Sequence, residues 1–150
     1  MIEVIGLPKF EALFRKVASL DVDKQDIKRM NELINQKIID LIVVAEGVAK
    51  ANGRDIIQYH DLSITKGIQE HMNEFKKYDY HLDLTPSLER ITAIPQMNLA
   101  CSKEVEEELS ILAGALIIMM AKIFKVIDPD LKNPVTEDWE KVKKIFDIIL

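Results

Sequence analysis

Apolar residues recur at intervals of three and four along most of the chain, which is the period of an amphipathic helix. One long stripe fills much of the first half and ends at Gly53, because glycine adopts the left-handed conformation of a helix stop without steric cost. Its apolar positions are Ile27, Met30, Ile34, Ile38, Leu41, Ala45 and Val48, widened by Leu33, Ile42, Val44 and Ala49. The pattern therefore predicts a long helix that is buried on more than one side.

Two shorter helices are predicted on either side of this long one. Pro8 suits a first helical turn, where its missing N–H leaves nothing unpaired, and Asp23 suits the cap of the long helix. Ile56 and Ile57 predict a short extended piece after Gly53. The apolar positions are Phe10, Leu13, Phe14 and Val17 in the first helix, and Leu62, Ile64, Ile68, Met72 and Phe75 in the third.

The second half of the chain predicts the same order of elements. Thr85-Pro86 has the form of a cap followed by a first-turn proline, Ser102 of the cap of a second long helix, and Thr136 of the cap of a last helix. Asp128-Pro129 ends the long helix, because the residue before a proline is pushed out of helix. The apolar positions are Leu88, Ile91 and Ile94, then Val105, Leu109, Leu112, Leu116, Met119, Ile123 and Val126, then Trp139, Val142, Ile145, Phe146 and Ile149.

These two series coincide when one is displaced along the chain, except that Met30 falls on Glu108. A displacement of 78 residues places Pro8 on Pro86 and Ile34 on Leu112, and a displacement of 77 places Asp61 on Asp138. The match favours two copies of a short–long–short helical unit over an unrelated six-helix bundle. We therefore divide a single domain, residues 1–150, into a first half at 8–77, a connector at 78–85 and a second half at 86–150.

The end of the first long helix carries a spaced motif. It reads Ala49-Lys50, Gly53-Arg54, Ile57 and Asp61-Leu62. This pattern resembles the second half of an archaeal-type histone fold, and the chain as a whole resembles the bacterial histone-like family in which one chain carries both halves. The resemblance implies an all-α histone fold whose halves pair head to tail as an intramolecular pseudodimer. It also implies a structural clamp between Arg54 and Asp61.

The second half departs from this motif. The displacement of 77 puts Leu131 where an arginine would stand, with Lys132 beside it, so Asp138 has no matching fork-shaped partner. Ala51 stands where archaeal histones carry a histidine that joins dimers. The resemblance therefore implies one complete clamp, and it gives no support to histone-style tetramers.

Histones hold DNA through cations in their loops and first helical turns, and the charge of this chain opposes such binding. The formal net charge is −5, from 20 basic and 25 acidic residues, whereas a dedicated phosphate binder normally has the opposite balance. The candidate DNA contacts are Arg15, Lys16, Lys24, Lys28, Arg29 and Lys132. Acids surround the same segments at Asp21, Asp23, Asp26, Asp128 and Asp130, and further acids open the second long helix at Glu104, Glu106, Glu107 and Glu108. We expect a structural or protein-interaction module with weak or no DNA binding, and the alternative is a nucleoid-associated histone-like DNA-binding protein.

No motif for catalysis, a cofactor or a metal is evident. His60, His71 and His81 lack the spacing of metal ligands, and no Gly-rich phosphate loop or nucleophile motif is present. His60 beside Asp61 is better explained as a loop or cap residue than as an acid–base pair. Cys101 precedes a helix, a place that can lower a thiol pKa, yet a half-buried core thiol is the simpler interpretation. We expect a protein that is not an enzyme, with no cofactor and no small-molecule substrate.

The remaining features bear on location and partners. One cysteine excludes an internal disulfide and suits a reducing compartment. The N-terminus has no signal-peptide pattern, and the longest apolar run, residues 111–121, is shorter than the roughly 20 residues of a membrane span. We therefore expect a soluble cytoplasmic protein without a membrane segment, whose partner is another protein or a second copy of itself.

Overall fold

A computed structural model describes residues 6–91 and 97–150 of the chain. The helices are α1 (Leu7–Ala18), α2 (Lys24–Ala51), α3 (Lys66–Leu82), α4 (Thr85–Ile91), α5 (Lys103–Ile127) and α6 (Thr136–Ile149). Two short strands, β1 (Ile56–Ile57) and β2 (Ala100–Cys101), and a 3-10 turn at Tyr59–Asp61 complete the described elements. The predicted all-α class is confirmed, and Ile94 of the predicted stripes lies outside the described residues.

Local hydrogen bonds explain where the long helices begin and end. At the start of α2, the Asp23 carboxylate accepts the Asp26 N–H at 2.8 Å, and the Asp26 carboxylate accepts the Asp23 N–H at 2.9 Å. Gly53 follows α2 with a φ of 69°, as expected for a left-handed stop. Ser102 Oγ accepts the Val105 N–H at 3.3 Å and caps α5.

The start of α6 differs from the prediction. Thr136 is the first residue of the helix, and Val135 occupies the capping position. Valine has no side-chain acceptor, so the Asp138 carboxylate reaches back to accept the Val135 N–H at 2.9 Å. The start of α6 is therefore held by the acid three residues after the capping position, and the Thr136 hydroxyl instead accepts from Arg29.

The segment between the predicted halves is shorter than the connector at 78–85. Helix α3 continues through Leu82, so only Asp83 and Leu84 link it to α4. Asp79 explains this tight link, since its carboxylate accepts the N–H groups of Leu84 and Thr85 at 2.6 and 2.9 Å. It also accepts the Thr85 hydroxyl at 2.5 Å. A side chain of α3 thus supplies the acceptors for the first turn of α4.

The centre of the core is α5, which packs against each of the other described helices. Every residue from Leu112 to Ile118 on this helix is buried. By contrast, α2 is buried on one side only, because Val43 and Val44 are each 54% exposed and Val48 is 37% exposed. The predicted burial of α2 on several sides is therefore wrong at its C-terminal end.

Helical geometry accounts for this difference. Ala45 and Ala49 carry the buried face of α2 through its last turns. Val44 and Val48 precede them by one residue, which turns each valine about 100° away from that face. Val126 at the end of α5 is likewise 81% exposed, although the stripe predicted it to be buried. Small alanines, which carry little signal in an apolar stripe, mark the true core side here.

By length and composition α5 could cross a membrane, and it is the one helix in the described part of the chain that could. Its most apolar stretch is mostly buried inside the protein. This is the usual setting of the central helix in a helical bundle.

Loops from distant parts of the chain meet at the two ends of the molecule. At one end, the Asp21 N–H donates to the Lys132 carbonyl at 2.7 Å. At the other end, β1 and β2 pair in parallel, with Ile57 opposite Cys101, and the Ser102 N–H donates to the Ile57 carbonyl at 2.9 Å. In each case a loop that precedes one long helix contacts the loop that follows the other long helix.

Candidate functional site

Arg54 and Asp61 form a bidentate ion pair between the loop after α2 and the 3-10 turn. The Arg54 Nη1 and Nη2 atoms lie 2.6 and 2.5 Å from the two Asp61 carboxylate oxygens, and the Gln58 N–H donates to the same carboxylate at 2.8 Å. The Asp61 side chain is completely shielded from solvent, whereas that of Arg54 is 30% exposed. The guanidinium, helped by the Gln58 N–H, lowers the pKa of Asp61 to about 2, although burial opposes the shift. The two residues singled out in the sequence are therefore brought together in a fork-shaped, charge-assisted contact.

The corresponding place in the second half carries part of this arrangement. The Asp138 carboxylate accepts the Val135 N–H, as the Asp61 carboxylate accepts that of Gln58. Leu131 is half-buried and Lys132 is exposed, and within the described residues no cation pairs with Asp138. The capping half of the arrangement is thus present without the guanidinium.

The six candidate DNA contacts lie at one end of the molecule. Arg15 and Lys16 end α1, and Lys24, Lys28 and Arg29 occupy the first turns of α2. Lys132 joins them through the hydrogen bond between its carbonyl and the neighbouring loop.

Several of these cations already have partners, and acids lie among them. Arg15 Nε is 3.6 Å from an Asp21 carboxylate oxygen, and Arg29 Nη2 donates to Thr136 Oγ1 at 2.8 Å. The exposed acids of the same loops and first turns are Asp21, Asp23, Asp128, Asp130 and Glu137. This end of the molecule is therefore mixed in charge.

The opposite end, around β1 and β2, is acidic. Lys50 lies 3.3 Å from Glu46, and Lys103 lies 3.8 Å from Glu107, so both lysines have acidic neighbours. The exposed acids nearby include Asp55, Glu104 and Glu106. The two ends where loops meet thus present different charges.

A groove of about 380 Å³ runs between α2 and α6, and sequence reasoning did not find it. Leu33 and Trp139 line it with apolar surface, and both residues are buried. Glu32 stands on the α2 side and Glu140 on the α6 side, and both side chains are exposed. Arg29 and Lys143 also line the groove, where Arg29 donates to Thr136 and Lys143 pairs with Asp147. The groove therefore has an apolar floor between two banks, one on α2 and one on α6, and each bank carries an exposed glutamate.

Two polar ties hold α6 against α2 along this groove. Trp139 Nε1 donates to the Asp26 carboxylate at 2.8 Å in a buried contact, and burial raises the pKa of Asp26. Lys37, whose side chain is 5% exposed, lies 2.5 Å from Asp147. Hydrogen bonds from Lys37 and then Lys143 lower the pKa of Asp147. These ties join residues more than a hundred positions apart. The position of Lys37 between Ile34 and Ile38 is a sequence signal for the second tie only.

The groups considered for chemistry do not converge. Burial raises the pKa of the Cys101 thiol, and Glu106 and Glu46 add to the shift. This is the opposite of what an activated cysteine needs. His60 is exposed beside Asp61, and His71 lies 3.3 Å from Lys122, which pairs with Glu74. Across residues 6–91 and 97–150, no three His, Cys, Asp or Glu side chains are grouped as a metal site.

Comparisons with known proteins give a family and several relatives. A family model described as a domain of unknown function (DUF1931) matches residues 10–147. A Thermus thermophilus protein of known crystal structure is 44% identical to this chain, with a TM-score of 0.86 and coverage of 96% of this chain and 97% of that one. A protein of Aquifex aeolicus, also known from a crystal structure, is 28% identical with a TM-score of 0.86, covering 100% and 99% of the two chains. An uncharacterized protein of Aquifex aeolicus is 29% identical over 98% of this chain and 85% of its own length.

Proposed function

The chain belongs to the DUF1931 family, a domain of unknown function, and we propose that it is a histone-type pseudodimer that acts as a protein-interaction module. In this proposal residues 8–77 and 86–150 are two histone-fold halves that pair within one chain. The protein would act without catalysis or a cofactor, through surfaces that the paired halves create.

The reciprocal loop contacts are the observation that carries the pseudodimer. The loop before α2 contacts the loop after α5, and the loop after α2 contacts the loop before α5. Two units related by a twofold rotation make this exchange, because each contact is repeated with the roles of the units reversed. The bidentate Arg54–Asp61 pair adds support, since it lies where the resemblance puts a histone clamp.

The unequal ends of the molecule support an interaction role over DNA wrapping. A histone that wraps DNA needs cations at both loop pairs, because one arc of phosphates passes over both. Here one loop pair mixes lysines and arginines with acids, and the other is bordered by Asp55, Glu104 and Glu106. A phosphate backbone that met the first end would be repelled at the second.

This proposal predicts little affinity for duplex DNA. Proteins that make 6–10 phosphate contacts lose about 10³ to 10⁵ in affinity between 50 and 200 mM salt. We expect this chain to bind a random duplex no tighter than micromolar at 50 mM salt, with a shallow salt dependence. Fluorescence anisotropy at both salt concentrations measures this. Submicromolar affinity with a steep salt slope would replace the interaction role with the nucleoid-associated one.

The six cations at one end are the observation that favours DNA binding as the second candidate. If they contact phosphates, the double variant Lys24→Glu and Lys132→Glu should abolish whatever DNA affinity is measured. The matched control reverses two exposed lysines elsewhere, Lys66→Glu and Lys103→Glu, with the same change in net charge. Equal losses in both variants would indicate a general charge effect and not a DNA site.

A further inference from the structure

We propose that the groove between α2 and α6 binds a helix of a partner protein that presents apolar side chains around a lysine or arginine. The inference rests on the proposed interaction role and specifies the chemistry of the partner. Helices that dock into grooves do so with an apolar face, and Leu33 and Trp139 give this groove an apolar floor.

Two α2 side chains that line the groove are larger than the α5 side chains at the matched positions of the second half. The matched contact joins α3 of the first half to α5 of the second, where the two helices run closely together and a Cβ on Gly114 would overlap the Phe75 ring. The displacement of 78 residues matches Ser110 and Gly114 of α5 with Glu32 and Gln36 of α2. At these matched positions, α2 therefore carries longer side chains than α5, and these side chains line the open groove.

The close contact between α3 and α5 indicates what kind of side chain fits in the groove between α2 and α6. There, an aromatic side chain on a helix packs against the long helix at Gly114. A partner helix that lays an apolar side chain over Leu33 and Trp139 would cover this face of α2, as Phe75 covers α5 at Gly114. A cavity of about 380 Å³ accommodates a few side chains of such a helix, and not the helix itself.

The charge of the partner follows from the two banks. Asp147 is already paired with Lys37 and Lys143, and Arg29, which also lines the groove, donates to Thr136. Glu32 and Glu140 have no hydrogen-bonded or ion-paired partner among the described residues, and they stand on opposite banks of the same apolar floor. A cation between them would satisfy both carboxylates, whereas an acidic partner would meet two like charges.

Trp139 makes the binding observable, because it is the single tryptophan of the chain. The probes are two labelled amphipathic helical peptides with leucines on one face, one with a lysine at the centre of that face and one with a glutamate there. Titration into the full chain is followed by peptide anisotropy and by Trp139 emission. We expect the lysine peptide alone to bind and to shift the emission.

The matched variants test whether the banks recognise the cation. Glu32→Gln with Glu140→Gln removes two charges at nearly constant shape, and the control, Glu70→Gln with Glu89→Gln, removes two exposed charges elsewhere. Two exposed ion pairs predict roughly three- to tenfold weaker binding of the lysine peptide in the bank variant. The control should bind as the unchanged protein does.

Each other outcome overturns the proposal. Equal binding of both peptides, an unchanged affinity in the bank variant, or no binding with no shift of Trp139 emission would show that the groove does not select a basic helix. A shift of Trp139 emission with protein concentration alone would assign the groove to a second copy of the chain. These results leave the proposed function intact, because that function fails only on DNA binding or on independent folding of one half.

Discussion

Asp61, Asp26 and Asp79 each place a carboxylate where several donors converge. Asp61 joins Arg54 to the 3-10 turn, Asp26 joins the first turn of α2 to Trp139, and Asp79 joins α3 to the start of α4. Charge-assisted bonds of this kind are stronger than bonds between neutral groups. Each of these acids therefore joins two elements through hydrogen bonds in addition to their apolar packing.

The Arg54–Asp61 pair predicts a difference between two basic residues. Arg54→Ala leaves the shielded Asp61 carboxylate with the Gln58 N–H as its donor, and an under-satisfied buried acceptor costs about 1–3 kcal/mol. Lys132→Ala removes an exposed side chain and should change the stability by less than about 0.5 kcal/mol. Urea melts of both variants measure the difference. Arg54→Lys is the matched control, and it should fall between them because it keeps the charge without the fork.

The low pKa of Asp61 predicts a loss of stability in acid. Its folded pKa of about 2 lies below the ordinary value of 3.8, so the stabilisation is present above pH 3.8 and is lost as the pH falls towards 2. The contribution is on the order of 2 kcal/mol, since one pKa unit is worth about 1.4 kcal/mol. Denaturant melts between pH 5 and pH 2 should show a smaller acid-induced loss for Asp61→Asn than for the unchanged protein. Parallel losses in the two proteins would contradict this assignment.

At the scale of elements, the two long helices have different tasks although their apolar stripes match. Helix α5 is surrounded by the other helices, and its middle turns are made of small and aliphatic residues that are buried on every side. Helix α2 has Lys37 on its buried face and exposes valines at its end. One helix therefore fills the core, and the other covers it and presents a surface.

Two glycines test this division of tasks. Gly114→Ala places a Cβ within the space of the Phe75 ring, and overpacking of this kind costs roughly 1–3 kcal/mol. Gly47→Ala on α2 meets nothing within 4 Å, and it should stabilise the protein by up to about 1 kcal/mol through helix propensity. Thermal melts of the two variants should shift in opposite directions. A gain in both would mean that α3 does not pack tightly on α5.

At the scale of the whole molecule, the contacts between halves predict that neither half folds alone. A fragment of residues 1–82 loses α5, against which α1, α2 and α3 all pack, and it loses the strand that pairs with β1. Each buried aliphatic side chain contributes about 1.5–3 kcal/mol, so several lost contacts exceed the roughly 5–15 kcal/mol stability of a domain. Ultracentrifugation should detect self-association or aggregation. A monomeric fragment with a cooperative melt would exclude the intramolecular pseudodimer.

The sequence by itself determined the number and order of the described helices, although the strand β2 and the 3-10 turn were not predicted. Helical period, Asp23 and Ser102 as caps, and Gly53 as a stop are local features, and local hydrogen bonds realise them as predicted. The Arg54–Asp61 contact could also be predicted, because its partners lie seven residues apart within a recognisable motif. Such features need no knowledge of what lies across the core.

Tertiary structure decided which faces are covered and which residues from distant positions meet. Val44 and Val48 fit the apolar stripe equally well in sequence, yet no described helix packs over them, and so they remain exposed. The ties from Trp139 to Asp26 and from Lys37 to Asp147 join positions 113 and 110 residues apart. The groove between α2 and α6 depends on the distance between these two helices, which no single segment of the sequence specifies. A stripe records the period of one helix, and the spacing of two helices is set only when both are packed.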